Sequence, residues 1–244
     1  MDGFVDLHCH ALYRVDDGAQ DEQIMQNMLD MAYNDGTRYL CFTPHFKIYE
    51  FGEDNEMFKQ IDRLKRRFSD ALAFVSEKHP DMHLYLGNEI MYHSDIPESL
   101  FEGKCLFLGE SKYALIEFDP NATAYEIENT VIKLLRKGIT PIIAHVERYS
   151  ALIKDASLVT ALKEHGALFQ ANARAVLKFK FGKGARFLKQ ALKRGLIDLV
   201  ASDAHNDSSF PPTLSAAYAH VSKKYGEAYA NRVFRDIPLS VITN

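Results

Sequence analysis

Cysteine is scarce in this chain of 244 residues, and long apolar runs are absent. The three cysteines, Cys9, Cys41 and Cys105, lack the spacing of a disulfide framework, so reduced thiols in a cytoplasmic protein are expected. None is followed by an arginine six positions later, which excludes the Cys-x5-Arg loop of cysteine-dependent phosphatases. No apolar stretch approaches the ~20 residues that span a bilayer, so membrane insertion is not expected.

Several glycine-rich and nucleophile motifs are also missing. No Gly-x-Gly-x-x-Gly follows the first predicted strand, and neither a Walker-type phosphate loop nor a Gly-x-Ser-x-Gly occurs. These absences argue against a dinucleotide site, a P-loop NTPase and a serine hydrolase. A formal net charge of -4 gives no reason to expect nucleic-acid binding. The amino terminus has no basic segment followed by an apolar one, so no signal peptide is predicted.

Short apolar runs alternate with helical patterns along the whole chain. Strands are predicted at 4–7, 38–43, 82–86, 113–118, 140–144, 167–170 and 196–202. Helices are predicted at 21–35, 53–77, 125–136, 158–164, 185–194, 213–225 and 227–234. Because no proline- or glycine-rich linker interrupts this order, residues 1–244 are predicted to form a single α/β domain with a parallel sheet and a helical carboxyl-terminal end.

Two histidines, His8 and His10, lie at the carboxyl end of the first predicted strand. Side chains alternate across a strand, so residues two apart point to the same side. Both imidazoles would therefore reach one metal ion. A chance pair beside a loop explains the same pattern, and the other strand ends decide between the two interpretations.

Imidazoles and carboxylates recur where the other predicted strands end. The full set at or just beyond these ends is His8, His10, His45, Glu89, Glu117, His145, Asp203 and His205. The carboxyl ends of parallel strands converge on one face of a barrel, where active sites are built. Nitrogen and oxygen donors suit divalent metals such as Mn, Fe or Zn. Each residue alone has a structural explanation, but the shared position predicts a metal site.

Seven motifs carry these residues in chain order: Asp6-Leu-His-Cys-His10, Asp16-Asp-Gly18, Thr43-Pro-His45, Gly87-Asn-Glu89, Leu115-Ile-Glu-Phe118, Ala144-His-Val-Glu-Arg148 and Ala201-Ser-Asp-Ala-His205. Together they resemble the polymerase and histidinol phosphatase (PHP) superfamily. More narrowly, they resemble its bacterial protein-tyrosine phosphatases, which are manganese-dependent and encoded with capsule and exopolysaccharide genes. The resemblance runs from about residue 2 to the final helices.

The resemblance implies a distorted, TIM-like (β/α)7 barrel with three divalent metal ions, commonly Mn2+, with Fe, Zn, Co or Mg as alternatives. It implies a first metal held by four residues: His8, His10, Glu89 and Asp203. Glu89 would bridge to a second metal that Glu117 and His145 also hold, and a third would be held by Asp17, His45 and His205. Asp16 is expected to be a turn residue.

The resemblance also implies a reaction, the hydrolysis of phosphotyrosine on a protein by a metal-bridging hydroxide. The expected partner is a bacterial tyrosine autokinase of capsule or exopolysaccharide assembly. Arg148 and the ligand Asp203 are the predicted catalytic residues, with the Arg148 guanidinium gripping phosphoryl oxygens. The alternative for Arg148 is a surface ion pair with its neighbour Glu147.

One position departs from the family pattern. A second arginine is expected a few residues after the last ligand histidine, but this chain has Phe210 there. Either a hydrogen bond from Asn206 or Ser208 replaces that contact, or a basic side chain reaches in from elsewhere. The candidates for the basic side chain are Arg174, Lys180 and Lys183.

Three other functions remain open at this point. A small phosphomonoester such as histidinol phosphate would suit the same barrel. An amidohydrolase shares the His-x-His motif, but Asp17, Glu89 and Glu117 exceed what its one or two metals need. A metal-bound regulator that docks a kinase without hydrolysing phosphate has only the Phe210 departure in its favour.

Overall fold

The computed structural model describes residues 3–178 and 181–243. Within these ranges the chain forms nine strands: β1 (Phe4–Cys9), β2 (Thr37–Phe42), β3 (His45–Phe46), β4 (His83–Leu86), β5 (Glu89–Met91), β6 (Tyr113–Glu117), β7 (Thr140–Ile143), β8 (Leu168–Asn172) and β9 (Leu199–Ala201). Every strand pair recorded in this part of the chain is parallel. The prediction of a parallel α/β fold is confirmed.

The helices fall between the strands and at the carboxyl-terminal end. They are α1 (Glu22–Asn34), α2 (Asp54–Lys78), α3 (Ile96–Phe101), α4 (Ala124–Arg136), α5 (Ser150–Lys154), α6 (Ala156–Glu164), α7 (Ala173–Lys178), α8 (Lys183–Lys193), α9 (Ser215–Tyr225), α10 (Glu227–Asn231) and α11 (Ile237–Thr243). A π-helical segment, Arg232–Asp236, joins α10 to α11. None of the described helices is both long and apolar enough to cross a membrane.

The strands form a three-stranded sheet in the order β1-β2-β4 and a six-stranded sheet in the order β3-β5-β6-β7-β8-β9. The two sheets meet beyond the ends of β1 and β9. There the amide of His10 donates to the carbonyl of Ala204 over 2.8 Å, and the amide of Asp203 donates to the carbonyl of His8 over 2.9 Å. These bonds bring the first and last strands side by side and curl the parallel sheet.

Two short strands that were not predicted, β3 and β5, follow the predicted strands 38–43 and 82–86 and raise the number from seven to nine. Thr43 and Pro44 separate β2 from β3, and Gly87 and Asn88 separate β4 from β5. Proline has no amide hydrogen for a sheet ladder, so it ends the pairing of β2. The Asn88 side chain then donates to the Pro44 carbonyl over 2.9 Å and accepts from the Leu106 amide. The paired breaks place β3 and β5 in the second sheet.

Burial and capping explain the main elements. All six residues of β1 are buried, as expected for a parallel strand covered on both faces. Helix α1 begins after Asp21, whose carboxylate accepts from the Ile24 amide, and α4 begins with a capping box between Thr123 and Glu126. The short helices α3, α5 and α7 were not predicted, because five or six residues are too few to show a helical period.

Candidate metal centre

Four buried side chains from three parts of the sheet meet at one point. His8 Nε2 lies 3.1 Å from His10 Nε2, 3.2 Å from Glu89 Oε2 and 3.2 Å from Asp203 Oδ1. His10 Nε2 lies 3.3 Å from the same Glu89 oxygen. Donors held about 2.1 Å from one ion lie about 3.0–3.4 Å apart, so these four atoms have the spacing of a metal site. We call His8, His10, Glu89 and Asp203 the first donor group.

Glu89 also belongs to a second cluster of donors. Its Oε1 lies 2.8 Å from His145 Nε2, and the same nitrogen lies 3.3 Å from Glu117 Oε1. On the opposite side, His45 Nδ1 lies 2.9 Å from Glu89 Oε2 and 3.7 Å from Glu117 Oε2. We call Glu89, Glu117 and His145 the second donor group. Glu89 is therefore shared between two groups.

A third cluster is more exposed to solvent. Asp17 Oδ1 lies 3.5 Å from His45 Nε2 and 3.6 Å from His205 Nε2. The donor atoms of these three residues and of His10 all lie within 4.8 Å of one another. We call Asp17, His45 and His205 the third donor group. All nine residues predicted as metal ligands thus lie together; Asp17 comes from the turn after β1, and the other eight lie at or near strand ends.

Two orphaned polar atoms indicate that a cation fits between these groups. Glu89 Oε2 and His45 Nδ1 are buried 2.9 Å apart, and neither has a well-directed hydrogen bond to any of the described residues. A buried polar atom without a partner is costly unless an ion or another group satisfies it. The donors are imidazole nitrogens and carboxylate oxygens, which suit Mn, Fe, Zn and Co. The residues present therefore fit divalent metal ions.

Asp16 orients His10 from behind. Its Oδ2 accepts from His10 Nδ1 over 2.7 Å and from the His45 amide over 3.0 Å. The bond to Nδ1 leaves His10 Nε2 as the free nitrogen that faces the first donor group. Asp16 Oδ1 also accepts from the Gly18 amide, so the turn role is correct but incomplete. The sequence interpretation missed the second role, although the family motif contains the residue.

Gly18 allows this turn to pack against His10. A Cβ atom at Gly18 would lie 1.8 Å from the His10 carbonyl oxygen and 2.7 Å from its Cβ. Only glycine fits so close to another backbone. The Asp-Asp-Gly motif therefore brings Asp16 behind His10 and leaves Asp17 at the third donor group.

Strand β8 supplies no predicted ligand, but its polar side chains support the centre. Gln170 Oε1 accepts from the His145 amide over 2.6 Å and lies 3.3 Å from His8 Nδ1. Gln170 Nε2 donates to Asn172 Oδ1, and Asn172 Nδ2 donates to Asp203 Oδ2 over 2.6 Å. This buried chain fixes His8 and Asp203. The sequence did contain a signal for this role: Gln170 and Asn172 are polar, two positions apart and at the end of a strand, so their side chains point to the same side.

The backbone is strained at two of the proposed ligands. His145 has φ 31° and Asp203 has φ 54°, both in the left-handed region that non-glycine residues rarely adopt. Such conformations cost about 1–3 kcal/mol each and persist at functional sites because neighbouring structure holds them. Here the Gln170 side chain holds the His145 amide, and the His8 carbonyl holds the Asp203 amide.

The buried charges shift the acid–base properties of the centre. Burial raises the pKa of Glu89, but four histidines outweigh that effect and hold its pKa well below the ordinary value. Burial opposes the charged form of His145, yet bonds to Glu117 and Glu89 raise its pKa to about 9. His10 behaves likewise, because Asp16 and Glu89 outweigh its burial and raise its pKa. In the metal-free protein, the raised pKa values of His10 and His145 favour protonated imidazoles beside the carboxylates.

Comparisons with known proteins agree with this geometry. The family model described as capsular polysaccharide synthesis, CpsB/CapC, matches residues 4–243. The chain belongs to this family. It is 34% identical over 243 residues to the tyrosine-protein phosphatase CpsB of Streptococcus pneumoniae, covering 98% of each chain. It is 33% identical over 205 residues to the tyrosine-protein phosphatase YwqE of Bacillus subtilis, covering 83% of this chain and 77% of YwqE.

Solved structures agree as well. A crystal structure from work on YwqE and on S. pneumoniae CpsB, described as metal-dependent tyrosine phosphatases, matches with a TM-score of 0.82 and 27% identity. The match covers 98% of this chain and 94% of the other. A D-hydantoinase from Thermus sp. matches with a TM-score of 0.55 at only 11% identity, covering 99% of this chain and 70% of the other. That likeness concerns the fold alone.

For this CpsB/CapC family member, the alternative interpretation of Arg148, a surface ion pair with Glu147, is wrong. Arg148 donates instead to Asp203 Oδ2 over 2.8 Å, at the edge of the first donor group. Glu147 is buried, and its Oε1 accepts from the Asn172 amide. Burial raises the pKa of Glu147. Arg148 therefore faces the centre.

We expect Asp16→Asn to lower metal affinity or kcat/KM by about 10–100-fold, the usual effect of removing a group that orients a ligand histidine. The amide removes the negative charge that holds His10 in position. Metal content by elemental analysis and turnover of a phosphotyrosine peptide measure the effect. Asp62→Asn is the matched control, because Asp62 is exposed on α2. Equal behaviour of the two variants would contradict the orienting role.

Proposed function

We propose that this chain is a metal-dependent protein-tyrosine phosphatase. The observation that carries the proposal is the position of Glu89, whose two oxygens face His8 and His10 on one side and His145 on the other. A carboxylate in that position suits a centre of more than one metal. Membership of the CpsB/CapC family, whose curated relatives are named tyrosine-protein phosphatases, supports the same function.

We further propose three bound divalent ions, with Mn2+ as the favoured metal. The first donor group would hold one ion, the second donor group another, and the third donor group the third, with Glu89 shared. We also propose that the fold is the (β/α)7 barrel that the resemblance implies, with residues 1–244 as one domain; counting β2 with β3 and β4 with β5 gives seven strands. The bonds from Ala204 and Asp203 to the first strand support closure.

Bound ions would neutralise the phosphoryl dianion and lower the pKa of a coordinated water, the nucleophile of the reaction. The protein's own residues position the substrate. Arg148 is half-exposed and still has guanidinium donors beyond the one that contacts Asp203, so it can bind phosphoryl oxygens. Asp203 connects the first donor group to Arg148. Its Oδ1 faces His8, while its Oδ2 accepts from Arg148 and Asn172. We propose Arg148 and Asp203 as catalytic residues.

The proposed substrate is a phosphotyrosine protein, with a bacterial tyrosine autokinase as the predicted partner. The family's link to capsular polysaccharide synthesis supports that choice. A cytoplasmic location stays a prediction, supported by three cysteines that are free and buried.

A comparison of substrates tests the proposal. Purified protein loaded with Mn2+ is assayed for phosphate release from a phosphotyrosine peptide, a matched phosphoserine peptide and histidinol phosphate. The expected result is the highest kcat/KM on the phosphotyrosine peptide. Faster turnover of histidinol phosphate would replace the proposal with the small-molecule alternative, and no turnover of any substrate would favour the regulator.

Thiol alkylation of the native protein is expected to leave this turnover unchanged. Cys9, Cys41 and Cys105 are buried, and burial raises the pKa of each thiol, so neither access nor ionisation favours reaction. Native protein is treated with iodoacetamide, checked for modification by mass spectrometry and assayed. A protein that stays unmodified and active agrees with the prediction, whereas inactivation in proportion to labelling would indicate a cysteine nucleophile.

A further inference from the structure

The ring of Phe210 is fixed at the edge of the third donor group. It meets the His205 imidazole edge-on, with ring centroids 6.2 Å apart. The Phe210 carbonyl accepts from the amides of His205 and Asn206, and its own amide donates to Asn206 Oδ1 over 3.0 Å. Five hydrogen-bond donors converge on that Asn206 oxygen: the amides and hydroxyls of Ser208 and Ser209, and the Phe210 amide. These bonds tie the loop to itself and place the ring beside His205.

Arg174 lies on this ring. It is the second residue of α7, which follows directly after the strand that carries Gln170 and Asn172. Its guanidinium carbon is 3.8 Å from the centroid of Phe210, within cation–π distance. Two contacts in series thus connect the Arg174 cation to a proposed metal ligand, His205.

The Arg174 guanidinium is available to bind an anion. Among residues 3–178 and 181–243, no carboxylate forms an ion pair with its guanidinium, whereas Arg148 already donates to Asp203. A guanidinium that stacks on an aromatic ring uses its flat face and leaves its in-plane N–H donors free. Those donors suit the oxygens of a phosphate group, which accept two parallel hydrogen bonds.

The other candidates for this contact offer less than Arg174 or lie outside the described residues. Asn206 carries no charge and its Oδ1 accepts bonds from its own loop, and the Ser208 hydroxyl donates to that oxygen. Lys183 lines a separate cavity of about 820 Å³ with Lys154 and Arg186. Lys180 lies outside the described residues.

We propose that Arg174, supported by the ring of Phe210, binds phosphoryl oxygens of the substrate as the second arginine of the site. The inference rests on the proposed function and deepens it. The sequence has a phenylalanine where the resemblance leads one to expect an arginine, and that phenylalanine carries an arginine from another helix. The positive charge is kept, but it comes from α7 instead of the loop after His205.

Direct binding of inorganic phosphate to the Mn2+-loaded protein tests the role of Arg174. Isothermal titration calorimetry is expected to show about 10–100-fold weaker phosphate binding for Arg174→Ala, the usual loss for a charge-assisted hydrogen bond. The phosphate affinity of Arg174→Lys is expected to lie between those of the wild-type protein and Arg174→Ala, since lysine keeps the charge but lacks the planar guanidinium. Metal content by elemental analysis is expected to stay unchanged in both variants.

Arg136→Ala is the matched control, because Arg136 is exposed at the far end of α4, next to the amino end of β7. In steady-state assays with a phosphotyrosine peptide, Arg174→Ala is expected to raise KM more than it lowers kcat. The double variant Arg174→Ala/Phe210→Arg returns a cation from the loop and is expected to recover at least half of the loss in binding, measured on a logarithmic scale.

The outcomes separate this inference from the proposed function. If Arg174→Ala binds phosphate as tightly as Arg136→Ala does, the inference is wrong even when the wild-type protein hydrolyses phosphotyrosine. If the wild-type protein binds phosphate through Arg174 but turns over no phosphotyrosine, the inference stands and the proposed reaction fails. Loss of metal in Arg174→Ala, with no loss of phosphate binding in Arg174→Lys, would assign a structural role and overturn the inference.

Discussion

Replacing Glu89 by glutamine is expected to lower kcat/KM for a phosphotyrosine peptide by more than about 100-fold. Removal of a group that merely supports a metal ligand costs about 10–100-fold, so loss of a shared ligand should cost more. Glu89 lies within 3.3 Å of nitrogen atoms on His8, His10 and His145. Glutamine keeps the shape but removes the negative charge that these three imidazoles surround.

The metal content of Glu89→Gln shows whether its lower kcat/KM comes from the loss of a metal ligand. Elemental analysis is expected to find at least one ion fewer per chain in Glu89→Gln than in the wild-type protein. The matched control is Glu128→Gln, the same chemical change at an exposed position on α4. A Glu89→Gln variant with full metal content and wild-type turnover would contradict the shared-ligand role and with it the multi-metal centre.

Chelation is expected to abolish turnover and lower the thermal stability of the protein, and Mn2+ is expected to restore both. A ligand present at 100 times its Kd stabilises the folded state by about 2.7 kcal/mol. In a chain of this size that corresponds to a rise in Tm of about 5–10 °C. Differential scanning fluorimetry with EDTA, followed by added Mn2+, measures the change. Turnover that survives complete removal of metal would rule out the proposed reaction.

The chelated protein is also expected to lose stability as the pH rises above neutrality. The pKa of His145 is raised from 6.5 to about 9 by Glu117 and Glu89 against the effect of burial. A raised histidine pKa stabilises the fold fully below the unfolded pKa and loses that effect as pH rises through the folded pKa. The decrease therefore falls between about pH 6.5 and 9. In the metal-bound protein a coordinating imidazole is neutral, so Mn2+ is expected to reduce this pH dependence.

The control for this prediction is the Mn2+-bound protein, measured over the same pH range as the chelated protein. Tm is measured from about pH 6.5 to 9.5 with EDTA and with Mn2+, in buffers of equal ionic strength. A larger decrease for the chelated protein agrees with protonated imidazoles between the carboxylates. Parallel curves would show that metal and protons do not compete for His145.

Much of the candidate centre could be predicted from the sequence because its residues follow strand ends. His8 lies within a buried strand, Glu117 ends β6, and His145 and Asp203 come two residues after the ends of β7 and β9. A strand end is a local property that apolar runs reveal. His45 and Glu89 were found by the same reasoning, although each proved to begin a short strand of its own after a break.

The supporting residues could not be predicted in the same way. Asp16 looked like a turn residue because its bond to the Gly18 amide is local, while its bond to the His45 amide spans 29 positions. Gln170 and Asn172 lie on the one strand without a predicted ligand, and their role depends on contacts with His145 and Asp203. Such contacts require the distance between atoms on different strands, which local patterns do not contain.

The sequence by itself determined the parallel α/β class, the set of imidazole and carboxylate donors and the face of the sheet on which they lie. These properties follow from strand periodicity and side-chain chemistry, which are local. Only the tertiary structure decided the distances between the donors, that Arg148 faces Asp203 instead of Glu147, and that Arg174 lies on Phe210. These pairings depend on how the curled sheet brings its first and last strands together, because that arrangement sets the distances between residues far apart in the chain.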